Sequence, residues 1–256
     1  MLPVSAAALQ VREATGEDEL TVLEPAGHPV ATLLRLASRL AAASGTGEQV
    51  TWDELPAAEL AAVALAIRQA WLGDIIRTDG FCADPACREP MDIAFAISTY
   101  LVHHRPRPYR GVRPAPEAGW YELADGGASF RLPTAGDLRA AVGAPDPELF
   151  LRQRCVRPAS VPAPMARKIS RAMHAISPSL NGPVTAQCPA CGGSVVFQFD
   201  PLTYALAELR DAASGLYEEV QLIASAFGWR EHDILAMPRR RRARYAELIR
   251  DHSVPA

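Results

Sequence analysis

The sequence predicts an α+β, mostly helical protein in which a split four-cysteine ribbon joins an N-terminal helical region, an inserted region and a C-terminal helical region. Three observations carry this. TDGFCADPACREPMDIAF, residues 78–95, places Cys82 and Cys87 on a tight turn ahead of an alternating apolar run. TAQCPACGGSVVFQFDPLTY, residues 185–204, repeats the arrangement with Cys188 and Cys191. From Leu202 to Phe227 apolar side chains recur in steps of 4 and 3, the spacing of a helical seam.

Bulk composition narrows the class. A chain of 256 residues can bury a sizeable core as one large domain or two small ones. Net charge is -3, so no global field draws it to nucleic acid or anionic lipid. No run approaches the 18 or so uninterrupted apolar residues of a membrane span. MLPVSAAALQVREATGEDEL lacks the basic and apolar regions of a secretory signal. The expectation is therefore a cytoplasmic protein, where paired cysteines point to metal or redox chemistry before disulfides.

Residues 1–28 read as a loose, polar arm with a possible short strand, Leu20 to Leu23. Residues 29–74 form a helical pair. The first helix starts at Pro29 and stops at SGTG, 44–47; the second is capped near Asp53, has Pro56 in its first turn and ends at Gly73. Ribbon halves occupy residues 75–98 and 184–200. Between them, residues 99–183 form the inserted region. It opens with an exposed Pro/Arg stretch, 103–119, then WYEL and SFRL strands joined by a DGG turn. Helices follow after Thr134, over DPELFLRQRCV and over 162–176. Residues 201–256 give one long seam helix and two short helices, EHDILAM and RRRRARYAELIRDH.

The two cysteine units match position by position. Counting from the second cysteine, places +4, +6 and +8 are Met91, Ile93, Phe95 in one copy and Val195, Phe197, Phe199 in the other. Each copy is a cysteine turn feeding a strand of period two. Two thiolates are too few for a structural metal, whereas zinc takes four in a tetrahedron. Cys82, Cys87, Cys188 and Cys191 are thus the predicted ligands of one structural Zn2+, with 100 residues, 88–187, looping out between the halves. The alternatives are four ordinary reduced cysteines, or a redox CxxC pair. A redox cysteine sits at a helix N-terminus, whereas CPAC here precedes a strand. All four ligands come from protein, so no open position is left for catalysis. Cys155 reads as a buried, inert thiol.

His103 and His104 fall in the Pro/Arg stretch and read as a solvated loop. No phosphate-binding glycine loop or nucleophile elbow occurs. Arg239, Arg240, Arg241, Arg242 and Arg244 form a basic block that is either a solvated helix start or a contact for an acidic partner. Arginines near a helix N-terminus oppose its dipole, which calls for an acidic neighbour or partner. The seam of 202–227 either packs on the helices of 29–72 or docks another protein.

Taken in order, the helical start, knuckle and strand, R-L-P-T-x-x-D-L (131–138), second knuckle, F-x-F-D and FGWREHDILAMPRRRRARYAELI resemble the T-even-phage-type baseplate hub assembly proteins and their relatives in contractile injection systems and tailed phages. The resemblance spans roughly residues 30–250 and is most specific from Trp229 through Ile249; the first knuckle departs from the family's CxxC. It implies a non-enzymatic assembly factor, a chaperone or minor component, whose partners are hub or spike proteins. Trp229 and the arginine block become its contact residues. No small-molecule substrate and no membrane is expected. The alternative is a zinc-ribbon nucleic-acid-binding regulator, disfavoured by the few positive charges flanking the knuckles.

Overall fold

The computed structural model describes residues 2–5, 8–25, 27–43 and 50–253. SGTG, the predicted stop of the first helix, lies outside them. The first segment differs from the expected loose arm. It forms strand β1 (Leu9–Val11) and helix α1 (Gly16–Leu23), so the residues read as a short strand, Leu20 to Leu23, are helical. The cause is electrostatic. Asp18 and Glu19 are buried, and each is met by arginines from other segments. Arg12 grips Asp18 through two bonds, Nη1 to Oδ2 at 2.7 Å and Nη2 to Oδ1 at 2.9 Å, and Arg39 Nε adds a third to Oδ1 at 2.8 Å.

Helix α2 (Pro29–Leu40) follows, with proline in its first turn as expected, then β2 (Ala41–Ala43), antiparallel to β1. Trp52–Glu54 is a 3-10 turn, and α3 (Glu59–Leu72) starts after it. The helix therefore begins later than the Asp53 cap predicted, and ends at Gly73, whose φ of 87° a side chain would strain. Hairpin β3 (Ile75–Phe81) and β4 (Pro90–Ala96) carries the first knuckle, and α4 (Ile97–His103) leads into the inserted region.

That region holds β5 (Val112–Pro114), β6 (Trp120–Leu123), β7 (Ser129–Arg131), α5 (Ala135–Ala141), α6 (Pro147–Cys155), β8 (Val156–Arg157) and α7 (Ala163–Ile176). The predicted hairpin is the centre of a four-stranded antiparallel sheet ordered β5-β6-β7-β8. Leu123, Phe130, Val156, Ile169 and Ala172 give it a core of its own. The second knuckle sits on hairpin β9 (Gly182–Gln187) and β10 (Ser194–Phe199).

The C-terminal seam is not one helix. It is α8 (Pro201–Ala213) and α9 (Leu216–Phe227), separated by Ser214 and Gly215. Gly215, with its poor helix propensity, is where the long helix stops. α8 packs mainly on α3 and α1, and α9 on α10 (Glu231–Leu235) and α11 (Arg239–Ser253). The seam faces inward from Leu206 to Ile223, whereas Phe227 at its end is exposed. Arg68, itself buried, holds α3 to α8 through two bonds to Glu208, at 2.8 and 3.1 Å.

The start of α5 repeats the arginine–threonine–aspartate bonding of α1. Arg131, Thr134 and Asp137 stand at the spacing of Arg12, Thr15 and Asp18. Arg131 bonds both Asp137 oxygens, at 2.5 and 3.0 Å, the Thr134 N–H donates to Oδ2 at 3.0 Å, and Arg154 Nε reaches Oδ1 at 2.7 Å. Each threonine also bridges a proline that precedes another helix, Thr15 with Pro238 and Thr134 with Pro56. Strand, arginine, threonine cap and buried aspartate thus form a device used twice, once to dock α11 and once to dock α3.

In both copies burial raises the carboxyl, but the arginine and threonine hydrogen bonds outweigh it, leaving Asp18 and Asp137 below the usual carboxylate range. A lowered folded-state pKa stabilises above the unfolded value near 3.8 and fades as pH falls through the folded value. Asp18→Asn is expected to cost about 2–3 kcal/mol at pH 7, less than the roughly 3–5 kcal/mol of a fully buried pair because Arg12 and Arg39 keep access to water. Urea unfolding at pH 7 and pH 3 checks this: the gap between wild type and variant narrows at the lower pH.

Candidate metal centre

Each knuckle is built from backbone bonds that the cysteine turns make. Cys82 N–H donates to Glu89 O at 2.9 Å and Cys87 N–H to Asp84 O at 3.0 Å. In the second copy Cys188 N–H donates to Gly193 O at 2.8 Å and Gly192 N–H to Cys188 O at 2.9 Å. The residue after the second cysteine is left-handed in both, Arg88 at φ 48° and Gly192 at φ 72°. Glycine adopts this conformation freely and arginine does not. The longer first turn is closed by Asp84, whose Oδ1 accepts from the Ala86 N–H at 2.9 Å.

The hairpins bring all four predicted cysteines together. Their sulfurs lie within 4.8 Å of one another. Two approaches cross between knuckles, Cys82 to Cys191 at 3.6 Å and Cys87 to Cys188 at 3.8 Å. A tetrahedral ion bonded to sulfur at ~2.3 Å needs sulfurs about 3.8 Å apart, so the donor set fits a metal ion. Cys82 and Cys188 are buried, Cys87 is half-buried and Cys191 exposed. Ile93 and Val195 close the apolar side, with Met91, Phe95 and Phe197 around them. The inward face is the alternating set read from sequence.

The thiols are not equivalent. The Cys191 and Ala190 backbone N–H groups bring Cys188 down to about 7, in spite of burial. At Cys82 the Asp84 backbone pulls downward, but burial and the neighbouring thiols push it up to about 12. A thiolate is the metal-binding form, and Cys188 is the thiol best placed to supply the first one.

Aromatic edges fasten the ribbon to the helical core. Phe199 meets Phe95 at 5.2 Å, Tyr100 at 5.2 Å and Tyr204 at 5.4 Å between ring centres, all three near edge-on. Tyr204 Oη donates to Arg77 O at 2.8 Å and Tyr100 Oη to Leu180 O.

The other predicted site residues lie far from the sulfurs in the chain and divide into two groups. Arg242 is 1% exposed, in the interior, bound to Glu19 and, at 2.8 Å, to Glu219. Arg239 also turns inward, to Glu19 Oε1 at 2.9 Å and Ala212 O at 2.8 Å. These two are not free for a partner; they are the acidic-neighbour solution to arginines at a helix start. Arg240, Arg241 and Arg244 face solvent. Trp229, 37% exposed, stacks on Phe227 at 5.1 Å and meets Tyr245 edge-on at 5.3 Å, with Arg241 over the Tyr245 ring at 5.8 Å. Sequence reasoning missed Phe227 and Tyr245 as members of this surface; the signal was a seam running one step past its last buried position.

Cys155 is buried as expected, its thiol raised to about 11 by burial, and its sulfur lies 3.8 Å from Asp137 Oδ2. His103 ends α4 exposed, while His104 Nδ1 lies 2.9 Å from Tyr100 O. Among the described residues no helix is long and apolar enough to cross a membrane. No protein-family model, curated protein or solved structure matches the chain.

Two outcomes follow from the knuckle geometry. Arg88→Gly relieves the left-handed strain and is expected to raise stability by about 0.5–1 kcal/mol, read from the denaturation midpoint. Stripping metal with a chelator is expected to raise hydrogen exchange in residues 75–96 and 182–199 together. Loss of protection in one hairpin alone would contradict a shared clasp.

Proposed function

We propose that this chain is a non-enzymatic assembly factor or minor component of a baseplate hub in a contractile injection system or phage tail, working by protein–protein contact on a zinc-stabilised scaffold. Four thiolates and no oxygen or imidazole donor favour zinc over magnesium or calcium. Cys82, Cys87, Cys188 and Cys191 would hold it. The ion would fix the two hairpins, leaving the chemistry of the protein to its surfaces.

The observation that carries the contact reading is the aromatic stack of Phe227 and Trp229, both exposed, against half-buried Tyr245, with Arg241 over the Tyr245 ring. Trp, Tyr and Arg are the residues that most often dominate binding at protein interfaces. Placement in a baseplate rests on the sequence resemblance. Against a ribbon that reads nucleic acid stand Asp79, Asp84, Glu89 and Asp92, all exposed on the first hairpin. Asp79 and Asp92 face each other across the strands, which would repel a phosphate backbone.

Elemental analysis is expected to find about one zinc per chain, lost in Cys188→Ser; a folded protein without metal sinks the zinc assignment. Pull-down against the products of the neighbouring genes is expected to recover a hub or spike protein. Trp229→Ala should weaken that capture by at least tenfold, while its thermal midpoint moves little because the ring is partly solvent-exposed. Recovery of DNA or RNA alone would favour the nucleic-acid reading.

A further inference from the structure

The inserted region differs in charge from the rest of the molecule. Residues 99–183 carry twelve basic and six acidic side chains, +6, in a chain of net charge -3, so the remainder carries -9. Whole-chain charge conceals this segregation. Within the region half of the cations have a carboxylate beside them: Arg113 with Glu122, Arg131 and Arg154 with Asp137, Arg139 with Asp53, Arg157 with Glu117 and Lys168 with Asp125.

Arg105, Arg107, Arg110, Arg167 and Arg171 have no such partner among the described residues, and all are exposed. They are also neighbours. The Arg107 backbone N–H donates to Ala175 O at 2.9 Å, pinning the 104–111 stretch along the last turn of α7. Tyr109 and Gly111 line one hollow with Lys168 and Arg171. Arg167, Arg171 and His174 fall at i, i+4 and i+7, one stripe of α7. Pro106 and Pro108 restrict the backbone between the arginines, so the cations are presented with little ordering left to do.

We propose that this face docks an acidic segment of a partner protein. Unpaired arginines held on a stiff backbone match carboxylates well, because the guanidinium fork takes both oxygens. Two features favour a short acidic segment over nucleic acid. Single-strand binders stack bases on exposed aromatic rings, whereas Tyr109, the aromatic ring in the 104–111 stretch, packs into the region's own core. A duplex would extend past the stripe, which spans about 10 Å along α7 at 1.5 Å per residue, toward a remainder that is net negative. The surface is separate from the Trp229 stack, so it stands or falls independently of that contact.

Fluorescence anisotropy with a labelled twelve-residue Glu/Leu peptide, a 20-nucleotide single strand and a 20-base-pair duplex tests this. The peptide is expected to bind at 50 mM salt and to weaken at least tenfold in Arg107→Ala/Arg171→Ala, whose exposed side chains leave the fold intact by circular dichroism. Arg152→Ala, at an exposed arginine on α6 with no ion pair among the described residues, and Trp229→Ala should leave peptide binding unchanged. Absence of peptide binding, equal loss in Arg152→Ala, or tighter binding of either nucleic acid would overturn the proposal.

Discussion

Convergence of four sulfurs within 4.8 Å is the constraint on which the remaining architecture depends. Between the two hairpins the buried aliphatic residues are Ile93 and Val195, while Ile76 and Phe199 anchor the ends away from the sulfurs in the helical core. A two-stranded hairpin is marginal by itself in water. Without the sulfur clasp, therefore, the knuckle ends of β3–β4 and β9–β10 have little else to hold them together. The inserted region is strung between them; its α5 is docked on the segment before α3, where Thr134 pairs with Pro56 and Arg139 with Asp53, while the hairpins set the placement of its two ends. Phe95, Tyr100 and Phe199 transmit that placement into the helical core by edge-on contacts.

A second constraint is ionic. Burial of Asp18, Glu19 and Asp137 would be prohibitive for isolated carboxylates, so each must be met by arginine. Those arginines come from afar: Arg39 on α2, and Arg239 and Arg242 on α11. The last helix is thereby tied to the first. Removing the arginines leaves a carboxylate charged and buried, which is why such pairs are costly to break even where an apolar pair could replace both.

What could be read from sequence tracks which forces leave a pattern. Cysteine spacing and period-two alternation mark the knuckles and the strands after them. The strands before them, IIRTDGF and GPVTAQ, alternate too weakly to stand out. α1 escapes hydrophobic periodicity altogether, because its buried face is Asp18, Glu19, Thr21 and Val22. Its signature is the spacing Arg-x-x-Thr-x-x-Asp, found again at Arg131, and neither copy reveals its meaning until the bonds are seen. The seam through Leu216 keeps its register across Gly215, so periodicity reads one helix where the chain makes two.

The arginine block shows how one sequence feature divides between structure and surface. A helix places residues three and four apart on a common face. Arg239 and Arg242, three apart, both turn to Glu19, while Arg240, Arg241 and Arg244 are left outside. The inner pair fixes α11 against α1, and Tyr245, three residues past Arg242, is held against Phe227 and Trp229 as a result. The Gly228 αL turn then sets Trp229 beside Phe227. Three aromatic side chains fixed by one buried salt-bridge pair lose little further freedom when covered, and that lowers the ordering cost that otherwise limits a small contact surface. Buried charge and exposed aromatic stack are thus one construction: the first holds the second still.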